Sequence, residues 1–126
     1  MLIAVDTGGT KTLVATFAAD GTINEQVRFP TPTAQHEYIN QLQATIKHLI
    51  GNRKLTAIVV ALPSMIKDGV AVWCPNIGWK DFDIRVPLAI HFPKVPVLIE
   101  NDANLGGLGE TRMMSPNPTS SLYVTI

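Results

Sequence analysis

Leu2-Ile3-Ala4-Val5-Asp6-Thr7-Gly8-Gly9-Thr10-Lys11-Thr12-Leu13-Val14-Ala15-Thr16-Phe17 opens on a continuous apolar run and closes on a β-branched one. The first run, ending at Asp6, reads as a buried strand whose carboxyl end delivers a polar group. Residues 7–10 turn the chain, with two glycines free to take φ above zero. Residues 12–17 favour a second strand over a helix because they are β-branched and aromatic. Asp20-Gly21 is a hairpin turn signal, and residues 22–29, with Ile23, Val27 and Phe29 in blurred alternation, supply a third strand. Three antiparallel strands are expected to open the protein.

Further along, Pro30, Thr31, Pro32 and Thr33 break the strand pattern and leave Thr33 placed as a helix N-cap. Tyr38, Ile39, Leu42, Ile46, Leu49 and Ile50 follow at helical spacing, and Gly51 stops them. Residues 55–62 form a nearly unbroken apolar run, the pattern of a central strand covered on both faces. Met65-Ile66 and residues 70–73 flank Lys67-Asp68-Gly69 as a small hairpin. Residues 75–95 read as a loop with one short helix over 88–91. Val97-Leu98-Ile99 is a second buried strand that leads into Glu100-Asn101-Asp102. Residues 103–113 read as a helix, 115–118 as a turn, and 122–126 as the start of a further strand. The class is α/β: a mixed five-stranded sheet with flanking helices in the order βββαβαβ, plus a small hairpin.

Composition narrows the function classes. A chain of 126 residues is one domain's worth, and 46% apolar with 16% charged residues is globular. Ten basic residues balance ten acidic ones, so no basic footprint is offered to nucleic acid or anionic lipid. Cys74, the single cysteine, forms no intrachain disulfide or zinc site and fits a reducing cytoplasm. No signal peptide or membrane span can be drawn. His36, His48 and His91 have no metal-binding spacing and are expected at the surface.

Three segments carry chemistry. In Asp6-Thr7-Gly8-Gly9-Thr10-Lys11 a glycine turn between hydroxyls aims backbone amides into a concavity suited to phosphate, and Asp6 could serve hydrated magnesium. The same turn also reads as an ordinary Gly-Gly hairpin with an exposed lysine. It is neither a Walker A loop nor a dinucleotide fingerprint. In Glu100-Asn101-Asp102-Ala103-Asn104 the polar residues stand at the carboxyl end of a strand, where ligands of α/β sheets collect. Asp102 could take a proton from a substrate hydroxyl, with Asn101 and Asn104 orienting neighbouring hydroxyls, or it could simply cap the helix. Gly106, Gly107 and Gly109 are read as small residues that let the helix lie close on the sheet, and Glu110 as facing solvent. Cys74-Pro75-Asn76-Ile77-Gly78-Trp79 pairs an amide with an indole, as carbohydrate sites do, although a loop tryptophan more often plugs a core.

Together these segments resemble the N-terminal half of the ROK family, sugar kinases and sugar-responsive repressors of the ribonuclease H-like, actin-like ATPase fold. Asp6 to Lys11 is similar to the family's first phosphate motif, Pro75-Asn76 with Gly78-Trp79 to its mid-domain loop, and Glu100 to Asn104 with Leu108-Gly109-Glu110 to its catalytic segment. The resemblance implies an ATP-dependent hexokinase or glucokinase-like phosphotransferase with Asp102 as general base. It implies substrate contacts at Asn101, Asn76, Ser64 and Glu100. Gly8, Gly9, Thr10 and Lys11 would meet the ATP phosphates, and Asp6 would serve Mg2+. It also implies a cytoplasmic setting, a small sugar as partner and a homo-oligomeric parent. The alternative is the sugar-sensing domain of a ROK-type repressor; a non-catalytic actin-like structural domain is a third reading. Ala61-Leu62-Pro63-Ser64 departs from the family's Gly-x-Pro-Gly turn at the floor of the sugar pocket. The family's later Gly-Thr-Gly loop, Glu/His sugar clamp and cysteine-rich zinc motif have no counterpart here. Residues 1–118 are accordingly expected to be an N-terminal domain and 119–126 the first strand of a second one, with little activity by themselves.

Overall fold

The computed structural model describes residues 1–116 and 118–124. β1 (Leu2–Thr7), β2 (Lys11–Phe17) and β3 (Ile23–Pro30) form the expected antiparallel meander. α1 (Gln35–Ile50) follows, then β4 (Ala57–Leu62), which returns parallel to β1. β5 (Met65–Lys67), β6 (Val70–Cys74) and β7 (Trp79–Phe82) make a second, three-stranded antiparallel sheet. α2 (Arg85–His91), β8 (Val97–Asn101) and α3 (Asp102–Met113) complete the order, with β8 parallel to β4. The main sheet runs β3-β2-β1-β4-β8. The carboxyl ends of β1, β4 and β8 therefore open on one edge.

Alternation explains where the core sits. Ile3 and Val5 of β1, Val14 of β2, Ile58, Val60 and Leu62 of β4 and Ile99 of β8 bury one sheet face. They join Tyr38, Ile39, Leu42, Ile46 and Leu49 of α1 in a single apolar cluster. Trp79 and Phe82 of β7 extend that cluster through a tilted and an edge-to-face ring contact with Tyr38, at centroid separations of 4.6 and 6.1 Å. Asp68 and Gly69 both take positive φ between β5 and β6, as a two-residue hairpin turn requires.

Several expectations need correction. Trp79 to Phe82 is a strand rather than loop, because it pairs with β6 and fills the core; α2 begins at Arg85, earlier than its apolar residues suggested. α1 starts from Ala34, one residue past the expected Thr33 cap, and alanine has no side-chain acceptor to cap it; the Thr33 carbonyl accepts the Trp79 indole N–H at 2.7 Å. β4 is central but only one of its faces is fully covered: Ala57, Val59 and Ala61 stay half-buried. β8 is an edge strand with Leu98 half-exposed. The glycines of α3 do not serve close contact with the sheet; a Cβ on Gly106 or Gly107 would meet the Tyr123 ring, and α3 buries no residue. Residues 122–124 are not a strand; Thr125, Ile126 and the Asn117 of the expected turn lie outside the described residues.

Candidate active site

The β1–β2 turn supplies the first half of the site. Gly8 N–H donates to the Lys11 carbonyl at 2.8 Å and closes the turn, while among the described residues the amides of Gly9 and Thr10 have no partner. Such unpaired, exposed amides are what a phosphate oxygen needs. Neither glycine takes a positive φ, contrary to expectation. Glycine at position 8 saves space instead, since a Cβ there would stand 3.0 Å from the Lys11 carbonyl oxygen. At Gly9 a Cβ would touch Asn76 at 3.4 Å, so the turn and the β6–β7 loop are in contact.

Hydrogen bonds from distant elements hold this turn. Thr7 Oγ1 and the buried Tyr38 hydroxyl of α1 bond at 2.7 Å. Thr31, just past β3, donates its hydroxyl to the Gly8 carbonyl at 2.9 Å and its amide to the Thr10 carbonyl at 2.9 Å. Thr12 Oγ1 lies 2.9 Å from Thr31 Oγ1. Sequence reasoning missed Thr31 because its partners are up to 23 residues away. Its neighbours Pro30 and Pro32 signalled only a strand break.

The β8–α3 junction supplies the second half. Glu100 Oε1 accepts from the Asn101 amide at 2.7 Å and from Asn104 Nδ2 at 3.2 Å. Asn101 Oδ1 accepts the Asn104 amide at 3.0 Å, so Asn101, not Asp102, caps α3. Asn101 Nδ2 donates to the Ser64 carbonyl at 3.0 Å, tying the junction to the end of β4. Ser64 is 3% exposed and its hydroxyl donates to the Trp73 carbonyl at 2.7 Å, which makes it a framework link. Asp102 is exposed, and among the described residues only its Oδ1 is engaged, by the Ala103 amide at 2.8 Å. Its other oxygen is free to accept a proton.

Sheet register sets the distance between the halves. Asp6 pairs with Ala61 and Ala61 with Glu100, so the two acidic residues lie on one row and one face. At about 4.8 Å per strand their backbones are about 10 Å apart, with the small Ala61 between. Cys74 is buried behind the loop; burial pushes its thiol up, and the Asp102 charge adds to the effect. Trp79 is a core plug, and His36, His48, His91 and Glu110 are exposed.

Magnesium characteristically takes one or two carboxylates and completes its shell with water and substrate phosphates. Asp6 fits that role: it is exposed, at a strand end, with no protein partner among the described residues. No cluster of three metal-ligating side chains exists among those residues, so any ion would need phosphate and water as well.

The family model described as the ROK family matches residues 2–126. The chain belongs to the ROK family. A glucokinase of Halalkalibacterium halodurans is 32% identical over 117 residues, 86% of this chain and 35% of that protein. The xylose repressor of Bacillus subtilis is 34% identical over 93 residues, 72% of this chain and 22% of the repressor. Among solved structures, a ROK family glucokinase from Streptomyces griseus in complex with glucose and AMPPNP is 25% identical. It superposes with a TM-score of 0.78 over 88% of this chain and 36% of that one. This ROK chain thus spans about a third or less of the length of these relatives, and its fold is the actin-like ATPase arrangement of the solved ROK kinase structure. Among the described residues no helix is long and apolar enough to cross a membrane.

Proposed function

We propose that this chain is the N-terminal part of an ATP-dependent sugar kinase that transfers the γ-phosphoryl group of ATP to a hexose hydroxyl. The observation that carries this reading is the convergence of the glycine turn, Asn76 and the free Asp102 oxygen on one edge of the sheet. Lys11 and the Gly8 to Thr10 backbone would hold the donor phosphates. Asn76 would meet the sugar, and Glu100, Asn101 and Ser64 would shape its pocket. Asp102 takes the proton of the attacking hydroxyl as the new O–P bond forms and the bond to the ADP oxygen breaks. Bound Mg2+ supplies charge neutralisation on the phosphoryl oxygens, and Asp6 is the residue that would hold it.

The structural roles found at the junction support this division of labour. Glu100, Asn101 and Asn104 spend hydrogen-bonding capacity on one another, which fixes the backbone beneath Asp102 while leaving its carboxylate available. Residues 1–118 would form the first lobe of the enzyme and 119–126 lead into a second. The parent would be cytoplasmic and homo-oligomeric, without nucleic acid as a partner.

The test is Asp102→Asn in the protein that carries this chain. Loss of the base should lower kcat about a thousandfold with little change in sugar KM; activity close to wild type would sink the assignment. Similarity to the xylose repressor favours a second reading, a sugar-sensing domain. Specific DNA binding in a gel shift, without phosphoryl transfer, would put that reading first.

A further inference from the structure

Two of the peptide planes in the glycine turn are held by a residue outside it. Thr31 Oγ1 donates to the Gly8 carbonyl, and Thr31 N–H donates to the Thr10 carbonyl, each at 2.9 Å. A threonine hydroxyl has one proton. Because that of Thr31 goes to Gly8, the 2.9 Å contact with Thr12 must be a donation from Thr12 to Thr31. The result is a directed chain, Thr12 O–H to Thr31 O–H to Gly8 C=O, in which each bond polarises the next. Thr12 is fully buried at the root of the chain and Thr31 is half-buried.

A trans peptide points its carbonyl and its N–H in opposite directions within one rigid plane. Pinning the Gly8 carbonyl to Thr31 therefore aims the Gly9 N–H away from β3, out of the turn. Glycine itself gives the plane no such preference, and no side chain of residue 8 or 9 is present to hold it. Among the described residues the Gly9 amide has no partner, so its direction is available to a ligand.

We propose that Thr31 is a positioning residue for the phosphoryl donor: its hydroxyl holds the Gly8–Gly9 peptide so that the Gly9 amide is presented to a donor phosphate. This rests on the kinase reading above. Thr31 touches neither sugar nor phosphate; it acts through the backbone of the turn.

The experiment compares Thr31→Val, Thr31→Ser and Thr12→Val with wild type in the full protein that carries this chain, measuring kcat and both KM values. Thr31→Val keeps the shape but loses the hydroxyl, and should raise the KM for ATP about tenfold while leaving the sugar KM unchanged. Thr31→Ser should restore the ATP KM to within about twofold of wild type. Thr12→Val removes the hydroxyl that donates to Thr31, and should raise the same KM about twofold to threefold. If Thr31→Val does not fold, Thr12→Val with Thr31→Ser carries the test. An unchanged ATP KM in the hydroxyl-deleted variants, or equal rises in both KM values, overturns the positioning role alone. A wild-type protein that binds no ATP and phosphorylates no sugar overturns the kinase reading and this role with it.

Discussion

Asp102 and Gly8 owe their places in the site to different physical causes. Asp102 is held by one backbone amide and keeps one oxygen free because Asn101 has taken over the capping of α3. Gly8 is held by the space it does not fill. Gly8→Ala would put a methyl 3.0 Å from a backbone oxygen that cannot swing away, whereas Gly9→Ala meets Asn76 at 3.4 Å, near ordinary contact. Gly8→Ala should therefore lower the stability of the chain by about 1–3 kcal/mol in urea unfolding, and Gly9→Ala by no more than about 0.5 kcal/mol. Equal effects would mean that the turn relaxes freely. Both motifs could be seen in the residue types alone. Their hydrogen bonds could not, because an asparagine and an aspartate side by side are equally good caps until the helix start is placed.

Among the elements, α1 and α3 are opposites. α1 buries an apolar stripe from Tyr38 to Leu49 and ends on Gly51 at φ 55°, as its periodicity and C-terminal glycine indicate. α3 buries no residue fully and carries three glycines, so the Asn101 cap and the segment of Tyr123 that lies over Gly106 and Gly107 matter more to it than an apolar stripe. A Cβ on Gly109 would meet nothing within 4 Å, so Gly109→Ala should stabilise α3 by about 1 kcal/mol, read as slower amide exchange in that helix. Gly107→Ala should gain less, since its Cβ would lie 2.7 Å from that of Tyr123 and the tyrosine must move. A larger gain at 107 than at 109 would contradict this packing. β7 was hidden for the opposite reason: four residues holding Trp79 and Phe82 have too few alternations to announce a strand, and only pairing with β6 makes them one.

For the molecule as a whole, two buried groups make folding sensitive to alkali. Burial raises the Tyr38 hydroxyl above its ordinary value of 10.0, despite the bond to Thr7, and raises the Cys74 thiol above 9.0. A folded pKa above the unfolded one gives stability that is complete below the unfolded value and is lost as pH rises past it. The urea midpoint should therefore be level from pH 7 to about 8.5, then fall from about pH 9, and Tyr38→Phe combined with Cys74→Ala should flatten that fall. An unchanged slope in the double variant would show that other groups carry it. Local pattern alone specifies the meander, α1, the presence of β4 and β8 as apolar strands and the two motifs at the ends of β1 and β8, because runs, alternation and turn residues act over a few neighbouring positions. Packing alone settles that the second sheet has three strands, that one face of the main sheet is fully covered, that Ser64 is spent on the framework, and that Thr31 grips the glycine turn. Those outcomes depend on partners 9 to 46 residues apart, and register across a sheet brings such partners together only once the chain has folded.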